Sequence, residues 1–220
     1  MSFLTKIKNS EWLIPAGLIA LSLIPVAAGT FRLTELNSGI VTSENARFFV
    51  APLVTTLHIF AVTLYSLLGA FQFSPSFRKR KPNWHRLSGK ILIPAGLITS
   101  LAGLWMTQFF PHIKYDGNIV YITRLIVGTM MTAFILLGIE AIRNRNFSEH
   151  GAWMIRAYAL GMGAGTQVLT HLPWFIFPSI QGEAARTLFM ALGWVINLGV
   201  AEWIIRKPNV KFKKTMILTN

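Results

Sequence analysis

Cysteine is absent from this 220-residue chain. That excludes disulfides, thiolate-held metals, iron–sulfur clusters and covalently attached c-type haem, so any cofactor must be held by histidine, carboxylate or packing. Charge is scarce as well: Asp, Glu, Lys and Arg make up 13% of the residues, about half the share of an ordinary soluble domain. Only 8 residues are acidic against 21 basic ones, and they are too scattered to suggest an acid–base pair. The signatures of soluble enzymes are missing too: there is no Walker loop, no dinucleotide fingerprint after a strand, no GxSxG turn and no HExxH helix.

What fills the chain is hydrocarbon, with 53% of residues hydrophobic. A run of about 20 apolar residues crosses a bilayer, and the chain contains six such runs, near 12–31, 48–73, 88–110, 119–142, 151–177 and 187–205. Together they leave no room for a second globular domain. The expected fold is therefore a single all-α bundle of six transmembrane helices. The first run also resembles a signal peptide, with Lys6 and Lys8 ahead of it and Ala27, Ala28 and Gly29 near its end. It is long for one, and a retained span is expected.

The net charge of +13 would suit nucleic acid, but its placement does not. Basic residues cluster at the ends of apolar runs, as positive-inside topology requires. With both termini cytoplasmic, sixteen of the 21 basic residues fall inside, and Arg32, Arg47, Lys114, Arg124 and Arg186 fall outside. The bilayer, not nucleic acid, is the expected partner. One internal echo stands out: LIPAGLI occurs at 13–19 and again at 92–98, in two spans of one orientation. Repeats occur in transporters, commonly inverted ones; this parallel match is short and reads as coincidence.

Histidine inside lipid is costly enough to point to function. His58 lies about 15 Å into the second span, and His171 about 9 Å into the fifth from the same side. Arg124, early in the fourth span, shares that outer slab. Two imidazoles and a cation at one level fit a haem b, with His58 and His171 as axial ligands and Arg124 beside a propionate. Tyr65 continues the polar stripe from His58, and Gly161 and Gly165 leave the fifth helix flat. The plainer reading of that GxxxG pair is helix packing, and that of the histidines is interhelical hydrogen bonding. At the inner end His85, His150 and Arg156 begin helices, with Glu140 and Glu202 at comparable depth. They offer a second haem site, or an interfacial ring in which Arg156 pairs with Glu140 or Glu202.

The motifs HRLSGK at 85–90, HGAWMIRAYAL at 150–160 and NLGVAEWIIR at 197–206 fall in order at loop–helix junctions. Together with a histidine early in the second span, they make the chain resemble a bacterial family of predicted membrane proteins, domain of unknown function 2306. The likeness covers roughly residues 53–206. GAGTQVLTHLPW resembles one branch; other members carry an arginine near the place of Gln167 and Val168 here. The resemblance implies a multipass protein of the bacterial inner membrane and supplies no activity. A looser likeness to b-type membrane cytochromes is analogy of fold alone. Three readings follow from these residues. The first is a haem-b protein passing electrons, to or from a quinone or another redox protein. The second is a transporter or binding protein holding an anionic solute with the same His and Arg side chains. A purely structural subunit is the third.

Overall fold

The computed structural model describes residues 3–207, which form α-helices joined by short turns and no strand. The long helices are α1 (Phe3–Ser38), α3 (Pro52–Gly69), α5 (Pro82–Phe109), α6 (Asn118–Arg143) and α10 (Glu183–Arg206). Short ones are α2 (Ala46–Phe49), α4 (Pro75–Arg80), α7 (Phe147–Gly161), α8 (Gly163–Thr170) and α9 (Leu172–Ile176). Among the described residues, five helices are long and apolar enough to cross a membrane. Their outer surfaces are apolar: Leu13 and Leu53 are each 70% exposed and Ile119 62%. In lipid such faces carry no penalty. The basic tail residues Lys211, Lys213 and Lys214 lie outside the described residues.

Proline sets two of the helix starts. Pro52 and Pro82 open α3 and α5, where a missing N–H costs nothing. Each forces the residue before it out of the helical region, with φ −146° at Ala51 and −128° at Lys81. The second run thus starts four residues later than its apolar edge suggests, with α2 split off ahead of it. The third starts six residues earlier and takes His85 and Arg86 into the helix.

The fifth run departs most from expectation: it is three helices rather than one. Met162 and His171 interrupt it with ψ near zero (0° and −1°). At His171 the cause is Pro173, which cannot donate to Leu169 and whose ring crowds that carbonyl. Glycines flank Met162 and hold a helix weakly. The interrupted run still lies antiparallel along α10. Arg156 meets Glu202, Asn197 reaches the Ala159 carbonyl, Gln167 reaches the Met190 carbonyl, and His171 meets Arg186.

In chain order α1, α3, α5, α6, the α7–α9 run and α10 alternate in direction. α3, α5, α6 and α7 form the central four, with α1 against α3 and α8, and α10 against α7 and α8. The core at their centre holds Tyr65, Leu92, Met131, Ile135, Ala157 and Tyr158. This up-and-down order creates two poles. The aspartate pole holds the 39–51, 110–117 and 177–182 connections, and the basic pole holds 70–81 and 144–146.

Candidate functional site

The turn between α5 and α6 builds the centre of the aspartate pole. Tyr115 takes a left-handed conformation, φ 70°, and its ring meets Trp174 edge-on at 5.4 Å. The Asp116 N–H donates to the Ile113 carbonyl, and the Asp116 carbonyl faces His112 Nδ1 at 3.3 Å. These contacts turn the carboxylate of Asp116, the only aspartate in the chain, into the protein. Its side chain is 1% exposed. Arg124 of α6 donates to Oδ2 at 2.5 Å and Arg186 of α10 to Oδ1 at 3.0 Å. Burial alone would raise the Asp116 pKa; hydrogen bonds and charge from Arg124, then from Arg186, outweigh it and hold the group below the usual carboxylate value.

Arg186 also faces His171 Nε2 at 3.4 Å, while His171 Nδ1 meets the Gln167 carbonyl at 2.8 Å. Both contacts are met by one neutral tautomer, protonated at Nδ1. Phe189 covers the ring from α10. A second pair of arginines closes the pole. Arg32 of α1 pairs with Glu35 and lies over the Phe48 ring at 4.1 Å. Asn45, 1% exposed, ties the loop by bonding Glu35 and the Ile40 carbonyl. Arg47 lies over Phe48 and Phe110, at 5.3 and 5.9 Å. Its Nε is buried with no hydrogen-bond partner among the described residues. Burial first, then repulsion from Arg124, lower its pKa; Arg186 and Arg32 add to that, and Asp116 alone opposes.

Four guanidiniums therefore converge where Asp116 and Glu35 are the carboxylates bonded to them. Guanidinium forks match carboxylate and phosphate oxygens, so the arrangement suits a bound anion. Glu183 and Lys114 flank it at the Asp116 turn: the Glu183 carboxylate sits on Gly117, and Lys114 lies over Tyr115.

Of the residues expected here, Arg124 and His171 join this site and His58 does not. The His58 ring faces α5, where a methyl on Gly103 would touch Cε1 at 3.5 Å, and its Nδ1 is buried without a partner. His58 thus turns toward Gly103 of α5, and His171 toward Arg186 and Phe189 of α10. With both His171 nitrogens engaged as well, this geometry does not fit the two as axial ligands of one haem. Tyr65 and Gly161 belong to the core. A Cβ on Gly161 would lie 2.8 Å from Tyr65 Cε1, and one on Gly96 2.7 Å from Cε2, so the ring is held between two glycines. Gly165 brings α8 onto the Leu21 carbonyl of α1, which an added Cβ would strike. The helix-packing reading of these glycines describes what they do.

At the basic pole Arg156 pairs with Glu202 rather than Glu140, through Nε at 2.5 Å and a second nitrogen at 3.2 Å. His150 Nδ1 meets the Gly138 carbonyl at 2.8 Å, which turns its Nε2 away from that bond. His85, with Nδ1 buried and unpartnered, lies within electrostatic reach of His150, Arg78 and Arg86. No group of three metal-ligating side chains occurs among the described residues.

A family model described as predicted membrane protein (DUF2306) matches residues 55–205. No curated protein and no solved structure matches the chain.

Proposed function

The chain belongs to the DUF2306 family of predicted membrane proteins, and on that premise we propose a six-crossing protein of the bacterial inner membrane that binds a small oxyanion at its outer face. The sixth crossing is the α7–α8–α9 run. Its antiparallel register with α10, from Arg156–Glu202 to His171–Arg186, supports a traverse as deep as that of α10. Six crossings put both termini on one side, and the Lys/Arg excess at the basic pole makes that side cytoplasmic. The aspartate pole then faces outward.

Arg47 carries the anion reading. Its buried Nε lacks a partner while Arg124 and Arg186 share Asp116 and Arg32 is taken by Glu35. A buried donor without a partner costs free energy, and an oxyanion would satisfy it. Arg47, Arg124 and Arg186 would supply the forks, and Phe48 and Phe110 would exclude water. Thermal unfolding of the purified full chain with inorganic phosphate, sulfate or acetate tests this. Saturable stabilisation that disappears in Arg47→Gln is expected. No stabilisation at millimolar anion, or the same stabilisation in Arg47→Gln, sinks the reading.

A second reading rests on the basic pole. A histidine that ligates metal usually anchors its other nitrogen on a carbonyl or carboxylate, as His150 does on Gly138. His85 and His150 would hold a haem b, with Arg78 and Arg86 as cations for its propionates. When bound, the haem would supply one-electron chemistry. The visible spectrum of purified protein decides: a low-spin haem band lost in His150→Ala supports it, and a colourless preparation from haem-replete cells removes it.

A further inference from the structure

Between α1, α3 and α5 lies an apolar groove of about 850 Å³, lined by Ile19, Leu57, Phe60, Leu64, Phe71 and Ile98. The groove exists because its floor is small: Ala61 and Ala95 are buried there, and Pro94 forms part of one wall. Both copies of the LIPAGLI echo border it, through Ile19 on α1 and through Pro94, Ala95 and Ile98 on α5. Along α3 it extends from Leu57 to Phe71, about 21 Å at 1.5 Å per residue. One leaflet's share of a hydrocarbon core is about 15 Å, so the groove accommodates a whole acyl chain.

The Phe71 end opens at the basic pole, against an aromatic cluster. Trp12 meets Phe71 at 6.1 Å, and Phe77 meets Phe71 at 5.9 Å and Trp84 at 4.8 Å. Phe77 thereby fixes α4 beside the mouth, and Arg78 and Lys79 of α4 and Lys81 just after it are exposed. On α5, Lys90 precedes Pro94 by four residues and Ile98 by eight, which places it on the groove-facing stripe below them. An apolar trough as long as a lipid chain thus ends at a set of cations.

We infer that this groove and its mouth bind an anionic phospholipid of the bilayer, with one acyl chain along α3 and the phosphate among Lys79, Lys81 and Lys90. The site lies at the opposite pole from the proposed oxyanion site, and neither depends on the other. A zwitterionic lipid fills the trough equally well but gains little from the mouth. Each cation near an anionic headgroup adds roughly a fivefold preference.

Native mass spectrometry of the detergent-purified full chain, with equimolar phosphatidylglycerol and phosphatidylcholine of identical chains, tests the inference. Wild type should retain phosphatidylglycerol in clear excess. The surface variant Lys79→Gln/Lys81→Gln/Lys90→Gln should lose at least about fivefold of that preference while its phosphatidylcholine retention stays unchanged. Ala61→Phe, which fills the trough, should lose both lipids. Equal retention of the two lipids by wild type overturns the inference, as does an unchanged preference in the triple variant. Undiminished retention in an Ala61→Phe protein that still melts cooperatively does the same. If Ala61→Phe fails to fold, the triple variant alone decides.

Discussion

Asp116→Asn separates the two roles of the aspartate pole, because it should weaken the fold and strengthen anion binding together. The carboxylate is 1% exposed and bonded to two arginines that are 24% and 20% exposed. Removing one partner of a fully buried ion pair costs about 3–5 kcal/mol, since the other charge is left uncompensated. Arg124 and Arg186 keep some contact with water, which screens the stranded charges and leaves a cost of about 2–3 kcal/mol. For a chain of this size each kcal/mol lowers the melting temperature by about 2–4 °C, so a fall of about 4–12 °C is expected. Four arginines would then converge with Glu35 as the one bonded carboxylate, and added phosphate should restore more stability to the variant than it gives wild type. Melting curves of both proteins over a phosphate titration measure the two effects at once. Arg47→Gln in the Asp116→Asn background should erase the phosphate rescue. Melting unchanged from wild type, or phosphate protecting wild type alone, would refute the reasoning.

The pH dependence has a definite sign: the Asp116 pKa is lowered in the fold, so its stabilisation is complete above the ordinary value of 3.8 and fades as pH falls through the lower folded value. Melting measured from pH 6 downward should show that loss in wild type and a shallower one in Asp116→Asn; parallel curves would dismiss it. Gly161→Ala forces a methyl against the Tyr65 ring at 2.8 Å and should cost about 1–3 kcal/mol. Gly17→Ala meets nothing within 4 Å and should be neutral or stabilising; equal effects at the two sites would discredit the packing argument. For Arg156 and Glu202, 19% and 30% exposed, a double-mutant cycle should give a coupling of about 1 kcal/mol. The same cycle with Glu140 should give none, and additivity at Glu202 would contradict the pairing. Reporter fusions after Ser76 and Phe147 should read cytoplasmic and those after Asp116 and Gln181 external; one reversed junction ends the six-crossing topology.

The spans were legible because apolar length and terminal charge are one-dimensional properties. The runs near 119–142 and 187–205 differ from α6 and α10 by a few residues at each end. At the starts of α3 and α5 a proline moved the end, because Pro52 and Pro82 begin helices wherever the apolar run begins, whereas α1 extends beyond its apolar run at both ends with no proline there. The breaks in the fifth run are of another kind. Pro173 signals the one at His171, whereas Met162 lies in a run whose composition is uniformly apolar and glycine-rich. That interruption depends on how α8 fits α10 and α1, through Trp194 against Gly163 and Leu21 against Gly165.

Residue counting at the site speaks to depth along a span and says nothing of direction. Counting residues puts His58, Arg124 and His171 in one slab, but the side of the helix on which each lies cannot be counted. In a soluble bundle a polar stripe would mark the outside; on α3 the weakly polar stripe of His58 and Tyr65 marks the inward face but does not say that its neighbour at His58 is α5. Asp116 was legible in principle. A lone aspartate at a pole carrying Arg32, Arg47, Arg124 and Arg186 is the natural counter-ion, but its position in the eight-residue connection 110–117 suggests a solvated turn. The choice between Glu140 and Glu202 for Arg156 shows what was missing. On α6, Gly138 already lies opposite His150, and Phe134 stacks on Trp153 at 5.4 Å. Glu140 therefore falls beyond His150, about two turns from Arg156. On α10, the register fixed by Asn197 at Ala159 brings Glu202 level with Arg156. Partner identity at each pole follows from antiparallel register, and register is fixed by contacts such as Tyr65 between Gly96 and Gly161 that lie far from any charge.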